Sequence, residues 1–223
     1  MKRVFYGAIS LLIIISVLSS CSAAPELPVL ALHFEGGASE VTGDVEIELY
    51  PDKAPNTVKN IIFLVRSGYF DGMKVNLSIP GGFVEIADGT GLRSLASTGA
   101  PPDYALAHED NDLPIEKGSV AMSLYEASDM DSASDGFFIA MDDMPGLNGH
   151  FTVFGKVVKG MEVLEEINSL KTTGRALHYE PVQSVILSKA SVFTKGVKYG
   201  EPEKLPRKYY VWNSYNQWWK AVS

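Results

Sequence analysis

The sequence of residues 43–60 is GDVEIELYPDKAPNTVKN, and it joins two different periodicities within one short stretch. Apolar and acidic residues alternate from Val45 to Tyr50, which predicts a half-buried β-strand. After a Pro-Asp-Lys turn, apolar residues recur with the helical period from Ala54 to Ser67. The sequence therefore predicts a strand followed by a helix, with Asn56 as the helix N-cap and Gly68 just beyond its last turn.

Outward from this stretch, short segments with strand-like patterns recur at even spacing along the chain. One further segment, Met161 to Leu170, has the helical period and predicts a second helix. The pattern indicates one closed β structure with two helices. The predicted strands are residues 29–35, 73–79, 83–87, 119–125, 137–141, 152–158 and 181–193, and residues 89–116 form a long polar loop.

The composition excludes several classes of protein. The chain has 223 residues, of which 46% are hydrophobic and 21% are charged, so it is not a mostly disordered chain. Its formal net charge of −8 argues against binding to a phosphate backbone, so no nucleic acid partner is expected. The single cysteine excludes a disulfide scaffold, and the four histidines show no metal-ligand spacing. We therefore expect no metal and no cofactor.

The first 20 residues have the organisation of a signal peptide. Two basic residues precede an apolar run of about fifteen residues, which is short for a span that needs roughly 20. The segment ends in Leu-Ser-Ser before Cys21, which resembles the lipobox of bacterial lipoproteins, in which the cysteine is acylated. An ordinary secretory signal with a coincidental cysteine, or an uncleaved anchor, is the alternative.

The lipobox resemblance implies a location. The protein would be held in the bacterial envelope by its N-terminal lipid and would face the periplasm or the exterior. Ser22 follows the cysteine where retention in the inner membrane would favour aspartate, so the outer membrane is expected if the host has one. Residues 21–28 would be a tether between the lipid and the folded domain.

Three motifs now occur in an order that resembles the cyclophilin-type peptidyl-prolyl isomerases. The stretch 43–60 is similar to the opening motif of that family, residues 132–139 (SASDGFFI) to its middle signature, and residues 147–161 (LNGHFTVFGKVVKGM) to its last. The resemblance implies a mainly β fold, a closed eight-stranded barrel capped by two α-helices, over residues 29–194. Residues 195–223 would form a separate aromatic C-terminal tail.

The resemblance also places the family's peptide groove on this sequence, with several departures. The apolar residues of the proline pocket are retained as Phe83, Phe138 and Leu147. Leu77 stands where the family has its catalytic arginine. The remaining groove wall departs from the family pattern at Glu85, Tyr125, Glu126, Gly136 and Phe151, and His150 is one residue out of register with the family's histidine.

These departures bear directly on catalysis. Amide resonance sets a barrier of about 18–20 kcal/mol to rotation about the prolyl bond, and a guanidinium near the twisted nitrogen would lower it. Leu77 has no donor, and ionised Glu85 and Glu126 would only accept hydrogen bonds and would add negative charge at the groove edge. We therefore expect a weakly active isomerase or folding factor for envelope proteins that acts on proline-containing segments. The alternative is an inactive cyclophilin-fold module that binds a protein partner.

Two further segments are interpreted from their own residue patterns. Residues 129–136 (DMDSASDG) lack the residues that a calcium loop requires and indicate a solvated acidic turn. In the tail, Tyr215, Trp218, Trp219 and Val222 have the spacing of one helix face. The tail either folds back over the barrel or presents an aromatic face to a partner or a membrane surface.

Overall fold

Eight antiparallel strands form one sheet in which every strand is hydrogen-bonded to two neighbours, so the sheet closes into a barrel. The computed structural model describes residues 26–36, 41–87, 102–175, 179–213 and 218–222. The order around the barrel is β1-β2-β8-β6-β7-β4-β3-β9. These strands are β1 (Val29–Gly36), β2 (Val41–Leu49), β3 (Met73–Ser78), β4 (Phe83–Ile86), β6 (Ser119–Leu124), β7 (Ala133–Ala140), β8 (Val153–Lys159) and β9 (Val185–Phe193), and the short β5 (Tyr104–Ala105) lies outside the barrel.

Two helices accompany the barrel, α1 (Pro55–Arg66) and α2 (Met161–Ser169). Gly68 follows α1 with a φ of +72°, as the sequence predicts for a residue just past a helix end. The prediction that Asn56 is the N-cap is wrong, because Ala54 precedes the helix. The carboxylate of Glu109 instead accepts hydrogen bonds from the backbone N–H groups of Asn56 (2.8 Å) and Thr57 (2.7 Å). No helix within the described ranges is both long and apolar enough to cross a bilayer.

The barrel interior is filled by the inward-facing residue of each alternating pair. Phe137 lies at its centre, with its ring 5.6 Å from that of Phe70 and 6.2 Å from that of Phe154, in edge-to-face arrangements. Leu32, Ile47 and other aliphatic residues complete a core that is fully buried. Since this core occupies one face of every strand, the opposite face is available for a surface site.

Strand β7 is longer than the sequence predicts. The prediction of a solvated acidic turn over residues 129–136 is wrong for its second half, because β7 begins at Ala133 and all its residues are buried. Asp135 is 0% exposed, and its Oδ2 accepts a hydrogen bond from the Tyr69 hydroxyl at 3.1 Å. The small and polar residues of this half-strand show no apolar alternation, so neighbouring strands rather than local pattern determine its conformation.

Residues 199–208, here called the strap, fold back over the barrel. This is one of the two alternatives that the sequence analysis gives for the tail. Pro202 is buried, and β10 (Leu205–Pro206) pairs with β5. The side chain of Asn56 holds the strap by donating to the carbonyl of Glu203 (2.9 Å) and accepting from its N–H (2.7 Å).

Beyond the strap the chain forms a β-hairpin of β11 (Tyr209–Asn213) and β12 (Trp218–Val222). The helical spacing of Trp218, Trp219 and Val222 therefore predicts the wrong structure, since aromatic and β-branched residues also favour strands. Tyr215, the signal segment 1–20, Cys21 and His178 lie outside the described residues, and only 26–28 of the tether are described.

Candidate active site

A row of paired residues crosses five strands on the outer face of the barrel. Leu77 of β3 pairs with Glu85 of β4, Glu85 with Phe138 of β7, Phe138 with Ala121 of β6, and Ala121 with Val153 of β8. Directly paired residues of antiparallel strands have their side chains on the same face. The row therefore forms the floor of one surface site, which is apolar from Phe138 to Val153 and polar near Glu85.

The apolar half of the site is a cluster separate from the barrel core. Phe138 is 3% exposed, and its ring lies 5.0 Å from that of Phe83 and 5.2 Å from that of Phe151. Leu147, in the loop before β8, packs against the same cluster together with Leu113, Ile115 and Met144. The structure thus brings together Phe83, Phe138 and Leu147, the three residues that the sequence assigns to a proline pocket, and adds Phe151, which the sequence assigns to the groove wall. That they bind proline stays a prediction.

The loop that holds Leu147 is fixed by one local hydrogen bond and by one to a residue distant in the sequence. The N–H of Leu147 donates to the carbonyl of Met144 at 2.9 Å, and the side chain of Asn148 accepts from the N–H of Ile115 at 2.8 Å. His150 is exposed and does not belong to the cluster. Phe151 therefore occupies the position beside Phe138, and the loop contributes apolar surface there rather than an imidazole.

The polar half of the site depends on a β-bulge in β3. The register shifts between Val75 and Leu77, so Asn76 and Leu77 together stand opposite Glu85. Because of this extra residue, Asn76 reaches the groove side, and its Nδ2 donates to Oε2 of Glu85 at 3.1 Å. Leu77 is half-buried on the same side and offers no donor, so Asn76 is the amide donor at this end of the row.

The Glu85 carboxyl group lies among few polar partners. Burial raises the pKa of Glu85, and the nearby Asp135 carboxylate adds to the rise, while Ser123 and Asn76 oppose it by hydrogen bonding. Ser123 lies close enough to lower the pKa of Glu85, although its buried Oγ makes no hydrogen bond of standard geometry. The shift favours the neutral carboxylic acid over the carboxylate.

Gly136 leaves the floor of the groove without a side chain. A Cβ built on Gly136 would lie 2.8 Å from Cβ of Ala87 and 3.2 Å from Cβ of Ser123, which is closer than side chains pack. The space that a glutamine would need at this position is therefore already taken by Ala87, just after β4, and by Ser123 of β6.

This crowding makes a measurable prediction. Gly136→Gln should destabilise the protein by about 1–3 kcal/mol, because the new side chain must displace Ala87 and Ser123. Gly146→Gln is the matched control: nothing lies within 4 Å of a Cβ there, so its effect should stay within about 0.5 kcal/mol. Equal unfolding midpoints for the two variants in urea would contradict the packing described here.

The far end of the groove floor is bordered by the strap. Tyr125 follows β6, and the guanidinium carbon of Arg207 lies 4.1 Å from the centre of its ring, a cation–π contact. The carboxylate of Glu126 accepts hydrogen bonds from the hydroxyl (2.9 Å) and N–H (3.3 Å) of Ser128, within its own turn. A cation therefore lies next to Tyr125, where the sequence predicts only the negative charge of Glu126.

Three residues of this site escape the sequence-based reasoning. Ser123 could have been found, because it alternates with Ala121 on β6 and so shares its face. Asn76 depends on the bulge, and Arg207 depends on where the strap docks; no local pattern shows either. Arg93, which the sequence leaves as another source of positive charge, lies outside the described residues.

Comparison with known proteins agrees with this architecture. A family model described as cyclophilin type peptidyl-prolyl cis-trans isomerase/CLD matches residues 34–192. A probable peptidyl-prolyl cis-trans isomerase of Brucella suis is 37% identical over 134 residues, which are 56% of this chain and 66% of that protein. Peptidyl-prolyl cis-trans isomerase A of Dickeya dadantii is 32% identical over 159 residues, 69% of this chain and 81% of that protein.

A solved structure supports the fold assignment. The cyclophilin type isomerase of Cryptosporidium parvum superposes with a TM-score of 0.61 at 23% identity, covering 74% of this chain and 98% of that one. The chain belongs to the cyclophilin-type peptidyl-prolyl cis-trans isomerase family. The resemblance and the eight-stranded barrel with two helices, both predicted from sequence, are thereby confirmed. The matched region spans just under two thirds of the length of the Brucella protein.

Proposed function

We propose that this protein is a peptidyl-prolyl cis-trans isomerase of low catalytic efficiency that acts on proline-containing segments of envelope proteins. The observation that carries this proposal is the apolar cluster in which Phe138 lies between Phe83 and Phe151, in a row of paired residues that continues through Glu85 to Leu77. A cyclophilin type isomerase of Cryptosporidium parvum has been solved in the presence of the dipeptide Ala-Pro. A proline ring of similar size would be desolvated by the cluster here, with its backbone lying over the polar half of the row.

The low efficiency follows from the missing cation. Rotation about the prolyl bond becomes easier when the nitrogen lone pair is no longer delocalised and a donor stabilises it. The side chain of Leu77 has no hydrogen-bond donor, and Gly136 has no side-chain amide. Two contributions to catalysis remain: desolvation of the proline ring by the apolar cluster, and the hydrogen-bonding groups near Glu85. An assay of proline isomerisation with the purified chain tests the proposal, and a rate equal to the uncatalysed one would exclude it.

A second candidate function rests on the same departures. With Leu77 in place of a cation, the site is suited to holding an extended segment without promoting rotation, as a binding module for an envelope partner. Arg207 on Tyr125 and the strap would then define one end of the bound segment. Saturable binding of a proline peptide with no acceleration of its isomerisation would favour this function over catalysis.

We further propose that the chain is a lipoprotein of the bacterial envelope. The support is in the sequence alone: the basic and apolar segment 1–20, the Leu-Ser-Ser stretch, and the single cysteine at position 21. Lipid chains would supply roughly 0.8 kcal/mol for each buried CH₂, enough for firm attachment when several are present. The domain would face the periplasm or the exterior, on the outer membrane in a host that has one.

Lipid attachment has a direct test. Cys21→Ala should abolish labelling by a fatty-acid probe and should move the protein out of the fraction held to membranes by lipid. Ser20→Ala keeps a small residue before the cysteine and is the matched control, with labelling expected to persist. Labelling that survives in Cys21→Ala would exclude this site of attachment.

A further inference from the structure

The carboxyl group of Glu85 occupies the place in the row where the apolar floor ends. Its cross-strand neighbours are Leu77 on one side and Phe138 on the other. Neither neighbour offers a hydrogen-bonding group to the carboxyl. Glu85 is thus a polar group at the boundary between the apolar cluster and the strands that a peptide backbone would cross.

The hydrogen bonds available to Glu85 are too few for a stable carboxylate. Two carboxylate oxygens offer about four acceptor positions, and within the described residues Asn76 supplies one donor, at 3.1 Å. Ser123 adds a contact without standard geometry. A half-buried carboxylate with so little compensation is disfavoured relative to the neutral acid.

The charged group near Glu85 also favours the neutral carboxylic acid. Asp135, on the neighbouring strand β7, is fully buried and is the charged group that acts on Glu85 within the part of the chain described. Around Glu85, β3 contributes Asn76 and Leu77, and β6 contributes Ser123, none of which is charged. A second negative charge at position 85 would therefore be opposed by Asp135 and unbalanced by any cation among these neighbours.

We propose that Glu85 keeps its proton in the free protein and donates a hydrogen bond to the backbone of a bound proline-containing peptide. A neutral carboxylic acid has one O–H donor, so it provides what Leu77 cannot. Enzymes use carboxylic acids held neutral by apolar surroundings as donors in this manner. The inference deepens the proposed function: Glu85 contacts the substrate of that same site, and no group transfer is involved.

The proposal fixes the direction of the pH dependence. Below the titration of Glu85 the donor is present, and it is lost as pH rises through the raised pKa of this group. Affinity for the peptide Ala-Ala-Pro-Phe and kcat/KM for its isomerisation should both decrease over that range, by about fivefold to tenfold for the loss of one hydrogen bond. Asp135→Asn should move the midpoint to lower pH, because it removes the carboxylate that opposes ionisation of Glu85.

The experiment compares the full chain with two variants across pH 4 to 9, roughly the range around the ordinary carboxyl and histidine pKa values. Glu85→Gln retains a donor at every pH and should rescue the loss at high pH, whereas Glu85→Ala should bind weakly throughout. A carbon NMR titration of the Glu85 carboxyl group records its protonation independently of peptide binding. A midpoint at the value of an ordinary glutamate, or a Glu85→Gln variant with an unchanged pH profile, would overturn the proposal.

The outcomes separate this proposal from the proposed isomerase activity. Binding that follows the protonation of Glu85, with no acceleration of isomerisation, would exclude the isomerase and support the donor. Isomerisation that is independent of pH and unaffected in Glu85→Ala would support the isomerase and exclude the donor. Absence of peptide binding at every pH would overturn both.

Discussion

Proline isomerisation by the purified chain should be on the order of 10²–10³ times slower than by a cyclophilin-type isomerase that has arginine at the position of Leu77. The estimate treats the missing guanidinium as the loss of one preorganised donor at a developing lone pair. None of the five residues in the row from Leu77 to Val153 is a cation. Rates measured with the same proline peptide and corrected for protein concentration give the comparison.

Restoring the cation tests the cause of this slow rate. Leu77→Arg alone should gain little, because Glu85 stands directly opposite residue 77: the new guanidinium would favour loss of the Glu85 proton and would then pair with the resulting carboxylate. Leu77→Arg combined with Glu85→Gln should gain more, since the amide leaves the guanidinium free to contact substrate. A full rate from the unaltered chain would show that a group outside this row supplies the charge.

Phe138→Ala should destabilise the protein by about 3–5 kcal/mol, the usual range for removing a buried phenylalanine. Its ring is 3% exposed and lies between Phe83 and Phe151, so both contacts are lost together and a cavity remains. For a chain of this size the melting temperature should fall by roughly 6–20 °C. Calorimetry measures the shift.

A second phenylalanine provides the control for size and chemistry. Phe193, at the end of β9, is 59% exposed, so Phe193→Ala should cost far less than Phe138→Ala. Phe138→Leu keeps most of the apolar volume and should recover much of the stability. Similar melting temperatures for Phe138→Ala and Phe193→Ala would mean that the cluster is not the packed site described here.

The barrel could be predicted because its signals are local and repeated. The alternation from Val45 to Tyr50 and the helical period after Ala54 are both visible within a few residues, and both elements occur as expected. The positions of Phe83, Phe138 and Leu147 relative to the motifs also placed them on one surface. The proximity of Phe83 and Phe138 follows from the register of β4 and β7, whereas the position of Leu147 depends on the loop before β8.

The polar part of the site could not be predicted for physical reasons. A β-bulge adds one residue to a strand without changing its composition, so the direction of Asn76 is not visible in the sequence. The burial of Asp135 depends on Tyr69 and on strands far away in the chain. The position of Arg207 on Tyr125 requires the docking of the strap through Asn56.

Closure of the barrel requires pairing between strands that are far apart in the sequence, and this affects how the chain folds. Strand β9 pairs with both β1 and β3, and its pairs with β1 join residues that are 149 (Gly36 and Val185) to 164 (Val29 and Phe193) positions apart in the chain. Contacts at such separation are slow to form, because a long loop must be ordered before they stabilise anything. Until β9 arrives, the edges of β1 and β3 stay unpaired and open to association with other chains. Pairing of β9 is therefore a slow step at which this protein would itself benefit from a chaperone.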